Sequence, residues 1–213
     1  MKRTAPLVAT LHLVAGPAHA APVQTDKGAK ALLFTFSGLS DMRLDGFQGG
    51  IGFRDYLKDG LALRPAAEFS TYSNKSDTKN SPVSTETSSW KAGLSLALEK
   101  HRSGFVSDLS PYYGLGAGVA LRHQKDEYKS ASPSRDTRTR DRTSYSAFAL
   151  AGFEWGFADG LTFGGEYRVG VSVEDGKDKD EQVSSTATQK SKVDVTAVGA
   201  GVSTASLFLS IGW

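Results

Sequence analysis

The alternation of apolar and polar residues is the feature that most constrains this chain of 213 residues. Between Trp90 and Leu98 every even position is apolar, while the odd positions between them are small or charged. The segments 113–121, 145–157, 161–173 and 205–213 follow the same period of two. That period places successive side chains on opposite faces of a β-strand, whereas an amphipathic helix needs a period of 3.6. The pattern therefore predicts an all-β protein.

Eight alternating segments can be counted, and the connections between them differ in length. Three connections are short or compact: Lys58-Asp59-Gly60, the segment 101–108, and Ala158-Asp159-Gly160. Asp-Gly is a strong hairpin signal because glycine accepts a positive φ. The other connections are 38–46, 74–86, 124–141 and 175–192, and the last three are long and rich in Ser, Thr, Lys and Asp. Short and long connections alternate, which is typical of an outer-membrane barrel with short periplasmic turns and longer external loops. The predicted strands are 29–37, 47–57, 61–73, 87–100, 109–123, 142–157, 161–174 and 193–213.

The first twenty residues match a secretory signal peptide. Lys2 and Arg3 precede an apolar stretch, and Ala18-His19-Ala20 supplies a small-x-small cleavage site. The apolar stretch is too short to span a membrane as a helix. We expect cleavage after Ala20, which leaves a short periplasmic lead over 21–28 and a barrel over 29–213.

Composition excludes several classes of function. The chain has no cysteine, so a disulfide framework, a thiolate metal site and a cysteine nucleophile are all ruled out. It has 25 basic and 23 acidic residues, and Lys2 and Arg3 of the signal account for the difference. A mature chain of balanced charge gives no indication of a nucleic-acid partner.

A secreted β-sandwich is the main structural alternative, since it is also built from alternating strands. Aromatic residues, Tyr112 and Tyr113 among them, gather near the strand ends, as the interfacial girdles of a membrane barrel require. Glycines at 114, 116, 118 and 152 lie on the polar phase, where a narrow lumen needs space for long side chains. Charges on that phase are nearly balanced, so we expect them to pair across the lumen and close it. The predicted lumen network comprises Arg54, Arg64, Glu68, Lys91, Glu99, Arg122, Glu154, Glu166 and Arg168.

The opening and closing segments resemble the small outer-membrane β-barrel proteins, the eight-stranded group that includes the OmpA, OmpX and opacity-like barrels. The resemblance rests on Ala31 to Leu39, on Gly49 to Gly52 and on Asp59 to Arg64. It also rests on the alternating C-terminal strand, which ends in an aromatic residue and is similar to the signal read by the outer-membrane assembly machinery. The predicted assembly signal is Leu207, Leu209, Ile211 and Trp213.

Catalytic, cofactor and metal motifs are weak in this chain, and we expect none of these sites. Gly114-Leu115-Gly116-Ala117-Gly118 lacks the final glycine and the helix of a dinucleotide fingerprint. The acidic segment 175–181 carries interleaved lysines, which favours a solvated loop over a calcium site. His101-Arg102-Ser103, with Asp108 nearby, matches the His-x-Ser pair of lipid A deacylase barrels, but the predicted topology places it in a periplasmic turn.

The segment 135–142 is the most distinctive predicted loop. Arg138, Arg140 and Arg142 share one face of an extended chain, and arginine makes bidentate contacts with phosphate. They are a possible lipopolysaccharide contact, although Asp136 and Asp141 also fit a solvated, charge-balanced loop.

The sequence predicts a monomeric, eight-stranded, antiparallel up-and-down transmembrane β-barrel in the outer membrane. We expect a structural or surface-interaction scaffold with a closed lumen and no catalysis; a small channel or a lipid A-modifying barrel enzyme is the alternative. The expected partners are outer-membrane lipid and lipopolysaccharide, the assembly machinery, and an external ligand of the loops that the sequence does not identify.

Overall fold

The strands of the chain form one closed antiparallel barrel. The computed structural model describes residues 21–37, 46–77, 83–102, 106–130, 134–184 and 187–213. Each strand pairs with its neighbours in sequence, and β1 pairs with β8 to close the ring. The eight-stranded up-and-down barrel predicted from the sequence is confirmed; the signal segment 1–20 lies outside the described residues. The strands are β1 (Lys30–Ser37), β2 (Gly46–Lys58), β3 (Leu61–Asp77), β4 (Ser84–His101), β5 (Leu109–Lys129), β6 (Arg135–Ala158), β7 (Leu161–Val183) and β8 (Thr188–Gly212).

Two of the short connections are tight Asp-Gly turns. Gly60 and Gly160 have φ values of 66° and 68°, in the left-handed region that glycine adopts without strain. We call the end of the barrel that carries these turns the turn end, and the opposite end the open end. Both chain termini of the barrel lie at the turn end, where the Lys30 N–H donates to the Trp213 carbonyl over 3.0 Å.

The predicted assembly signal forms the seam of the barrel. Leu207, Leu209 and Ile211 stand opposite Phe36, Phe34 and Leu32 of β1. Over Ala31 to Ser37 of β1 and Ser206 to Gly212 of β8, this pairing leaves no free strand edge. A bulge in β8 opposite Arg168 changes the register, since Arg168 pairs with Ser203 while Tyr167 pairs with Ala205.

The strands at the open end are longer than predicted. The segments 74–86, 124–141 and 175–192 are strand over most of their length rather than loops, because the ladders continue in register to pairs such as Tyr128↔Asp136. These extensions are polar on both faces, so hydrophobic periodicity could not reveal them. Opposite charges on adjacent strands, as at Asp126↔Arg138, favour the continued pairing.

The two faces of the barrel wall differ in chemistry. Large apolar side chains point outward over the half nearer the turn end, and Leu94, Leu115 and Val171 are each more than half exposed. The inward face carries charges, hydroxyls, glycines and a small buried apolar cluster that includes Leu33, Leu150 and Phe208. A Cβ added to Gly164 would lie 2.2 Å from the buried Phe208 ring, so glycine is required there for the interior to pack. Among the described residues, no helix is long and apolar enough to cross a membrane.

Candidate functional site

The interior near the turn end contains a continuous layer of ion pairs. Arg54 lies between two glutamates, with Nε 2.8 Å from Glu99 Oε2 and Nη1 2.6 Å from Glu154 Oε2. All three side chains are almost completely buried. Buried charges are costly unless they are paired, and Arg54 has both acids within hydrogen-bond distance.

Arg64 extends the layer from Glu99 to Glu166. Its Nε lies 2.8 Å from Glu99 Oε1 and its Nη2 lies 2.7 Å from Glu166 Oε2. These two contacts lack hydrogen-bond angles, so they act through charge alone. Arg168 then connects Glu166 to Glu68. Its Nε lies 2.7 Å from Glu166 Oε1 and its Nη1 lies 2.6 Å from Glu68 Oε1.

Seven of the nine residues predicted for the lumen network therefore form one chain of contacts. Its sealed part balances three arginines against three glutamates, and its seventh member, Glu68, has a carboxylate that is 37% exposed toward the open end. Lys91 and Arg122 face the interior as predicted, but neither joins an ion pair among the residues the structure describes. In order, the chain of contacts is Glu154, Arg54, Glu99, Arg64, Glu166, Arg168 and Glu68.

The barrel topology explains which charges meet. Arg54 and Glu154 are one hundred residues apart, on β2 and β6, and Glu68 and Arg168 are one hundred residues apart, on β3 and β7. Strands four apart in a ring of eight lie on opposite sides of the lumen. Each of these pairs therefore spans the interior. The arginine of the first pair is on β2 and the arginine of the second is on β7, so the two pairs have opposite directions across the lumen.

Four buried residues beside the layer, His101, Ser110, Tyr112 and Tyr56, were not part of the predicted lumen network. The His101 ring stacks on Tyr112 with centroids 4.8 Å apart, and its Nδ1 lies 3.1 Å from Ser110 Oγ. The Tyr112 hydroxyl donates to Glu166 over 3.0 Å, and the Tyr56 hydroxyl lies 3.4 Å from His101. Tyr112 was expected in an aromatic girdle but faces the lumen. Its even position in β5, shared with the lumen-facing glycines, is the signal that could have placed it.

The lead segment covers the turn end of the barrel. The Ala21 N–H donates to the Gly156 carbonyl over 3.2 Å, and the Gly60 N–H donates to the Thr25 carbonyl over 2.8 Å. A cavity at this mouth has a volume of about 20 Å³, room for about one water molecule. The lead and the ion-pair layer together leave little free space at this end.

The three predicted lipopolysaccharide contacts lie in β6 rather than in a loop, and they face inward. Arg138 Nη2 lies 3.0 Å from Asp178 Oδ2, Arg140 pairs with Asp126 at 3.1 Å, and Arg142 pairs with Asp178. Burial opposes ionisation of Asp178, but hydrogen bonds from the two arginines outweigh it and lower the pKa of this carboxyl. Lipopolysaccharide binding by these arginines remains a prediction.

A second set of charges lies on the outward face of the strand extensions. Glu127 is contacted by Lys125 at 2.5 Å and by Arg135 at 2.6 Å. Hydrogen bonds from these two cations lower the pKa of Glu127 to about 2. His123 stacks on Trp90 and lies 2.7 Å from Asp141, at the boundary between the apolar outer surface and this charged band.

The motifs considered for catalysis and metal binding are separated or buried. His101 ends β4 rather than lying in a turn, and it is only 2% exposed; Ser103 of the His-x-Ser motif lies outside the described residues. The segment 175–181 is part of β7, so its side chains alternate between the two faces of the wall. In the part of the chain that is described, no three His, Asp or Glu side chains are placed to hold a metal ion.

Comparison with solved structures finds similarity to proteins of the outer membrane. A major outer membrane protein from Thermus thermophilus aligns with a TM-score of 0.51 and 14% identity over 87% of this chain and 99% of that one. The N-terminal β-barrel domain of Pseudomonas aeruginosa OprF aligns with a TM-score of 0.40 and 16% identity, over 88% of this chain and 98% of that one. Ail, the attachment invasion locus protein of Yersinia pestis, aligns with a TM-score of 0.40 and 12% identity, over 88% of this chain and 99% of that one.

These similarities concern architecture. No protein-family model matches the chain, and no curated protein matches it by sequence. At 14% identity, the likeness to the Thermus protein shows the barrel fold alone.

Proposed function

We propose that this chain is an integral outer-membrane β-barrel that acts as a closed scaffold for surface interactions, with no catalytic activity. The observation that carries the proposal is the sealed ion-pair layer. Arg54 and Glu99 are 0% exposed and Glu154 is 1% exposed, which supports a lumen without a water-filled passage at this layer. An eight-stranded ring has room for side chains but not for an aqueous channel as well.

The outer surface supports the membrane location. On β5 the outward residues from Tyr113 to Leu121 are apolar, and polar residues follow from His123 onward. The ten residue-to-residue steps from Tyr113 to His123, the first polar residue on this face, cover about 26 Å along the barrel axis, at a rise of ~3.4 Å per residue and a tilt of ~40°. That height matches the apolar band of outer-membrane barrels, roughly 25 Å. In water, so large an apolar surface would cause aggregation.

The exposed Lys125, Lys177 and Lys179 point outward from the charged band at the open end. In an outer membrane they would stand at the level of lipopolysaccharide phosphates, so we add them to the expected lipid contacts.

The proposal further includes a monomeric state, insertion by the assembly machinery through the C-terminal strand, and an external ligand for the connections at the open end. The proposed closed lumen disfavours the small-channel alternative, and burial of His101 disfavours lipid A modification.

Three measurements test the proposal. Fractionation of cell envelopes should place the protein in the outer membrane, and N-terminal sequencing should give a mature chain that begins at Ala21. A chain that still begins at Met1 would contradict export. In planar bilayers the purified protein should give no stable conductance steps, while a sixteen-stranded porin in the same bilayer serves as the positive control. Wide, stable steps from this protein would overturn the closed scaffold.

A further inference from the structure

The interior above the ion-pair layer forms a cup that faces the open end. Its volume is about 320 Å³, and its wall is lined by hydroxyls and small residues, among them Ser95, Ser144 and Ser146. The Arg168–Glu68 pair lies at the base of this cup. The cup is therefore polar, accessible from one side and closed below by the sealed layer.

Three inward-facing charges at or beside the cup form no ion pair within the described ranges. Lys91 and Glu174 line the cup wall, whereas Arg122 lies outside that lining, directly opposite Lys91 on the neighbouring strand. Arg122 makes only a 3.3 Å hydrogen bond with the side-chain oxygen of Gln124. These charges contrast with the fully paired layer below them.

Counting residues from the turn end places the three charges at similar heights. Lys91 is ten residues above the end of β4, Arg122 is thirteen above the start of β5, and Glu174 is thirteen above the start of β7. Arg168 and Glu68 are each seven residues above the starts of their strands. The unpaired charges therefore lie above the base of the cup. Two cations are on the adjacent strands β4 and β5, and the acid is on β7, two strands further on.

Like charges placed directly opposite on adjacent strands repel each other, and Lys91 and Arg122 are such a pair. An anionic group between them would remove the repulsion, and a cationic group beside Glu174 would neutralise the acid. We propose that the cup binds a small amphoteric solute, an amino acid or short peptide, with its carboxylate against Lys91 and Arg122 and its ammonium group against Glu174.

The size and position of the cup fit this solute. Its volume is near the lower end of the roughly 300–1,000 Å³ found for ligand pockets. Because the unpaired charges face the interior, the barrel wall separates them from headgroups of the surrounding lipid. The solute binds at a blind site, and the inference does not depend on the membrane location proposed above.

Titration of the detergent-folded full-length protein with three matched probes tests the assignment. The probes are glycylglycine, its N-acetyl derivative and its C-terminal amide, measured by calorimetry or ligand-observed NMR at low ionic strength. A hydrogen bond to a charged group contributes enough to change affinity by about tenfold or more. Glycylglycine should therefore bind at least about tenfold more tightly than either blocked form. Equal binding of the three probes, or no saturable binding of any, overturns the proposal.

Variants assign the two ends of the solute. Lys91→Gln should weaken the preference for a free carboxylate and keep the preference for a free ammonium group. Glu174→Gln should remove the preference for a free ammonium group and keep the preference for a free carboxylate. Lys192→Gln, which removes an exposed charge from the outward face of β8, should leave binding unchanged. Heat-modifiable electrophoretic mobility verifies that each variant is folded. Loss of binding in Lys192→Gln equal to that in Lys91→Gln contradicts the site.

Discussion

Removal of the Glu166 carboxylate should destabilise the barrel more than removal of any solvated acid. Glu166 contacts Arg64 at 2.7 Å and Arg168 at 2.7 Å, and it accepts a 3.0 Å hydrogen bond from the Tyr112 hydroxyl. Its side chain is 1% exposed. Glu166→Ala leaves three arginines against two glutamates in the sealed layer, and an uncompensated buried charge costs about 3–5 kcal/mol. We expect a loss near ~3 kcal/mol, because Arg168 retains Glu68.

Glu68→Ala is the matched control. Glu68 contacts the same Arg168 at 2.6 Å, but its carboxylate is 37% exposed, so its removal should cost at most about 1 kcal/mol. Urea unfolding in detergent micelles, followed by tryptophan fluorescence, measures both variants. The free energy of unfolding falls by about 1–3 kcal/mol per molar urea, so the urea concentration at the unfolding midpoint should be roughly 1–3 M lower for Glu166→Ala. Equal losses in the two variants would refute the reasoning from burial.

Three further changes test the seam, the packing and the charged band. Deletion of Trp213 should lower the yield of folded, heat-modifiable protein more than deletion of Ser185, and equal yields would argue against a role for the terminal residue in assembly. Gly164→Ala places a Cβ 2.2 Å from a buried ring and should cost about 1–3 kcal/mol, whereas Gly199→Ala, with its nearest neighbour 3.5 Å away, should change stability by at most about 0.5 kcal/mol in the same urea assay. Folding lowers the pKa of Glu127 from 4.5 to about 2, so its contribution is present above pH 4.5 and is lost as the pH falls toward 2. The difference in unfolding free energy between the native chain and Glu127→Gln should shrink over that range; a difference independent of pH would exclude the ion pairs as its source.

Local chemistry made much of the architecture predictable. The two Asp-Gly turns follow from the positive φ that glycine accepts, and period-two patterning located the eight strands and the inward phase of residues such as Arg54 and Glu166. Where both faces of a strand are polar, as in β6 from Arg135 to Arg142, the pattern disappears. The strand ends at the open end could therefore not be predicted.

The sequence by itself determined which side chains face the lumen, since alternation depends only on backbone geometry. Tertiary structure alone decided which of them meet. Arg54 contacts Glu154, and Arg168 contacts Glu68, across one hundred residues because closure of the ring places strands four apart on opposite sides. The charges of the layer near the turn end are buried and paired, whereas Lys91 and Arg122, several residues higher, form no ion pair with an acid among the described residues, because closure of the ring brings none within contact distance of them.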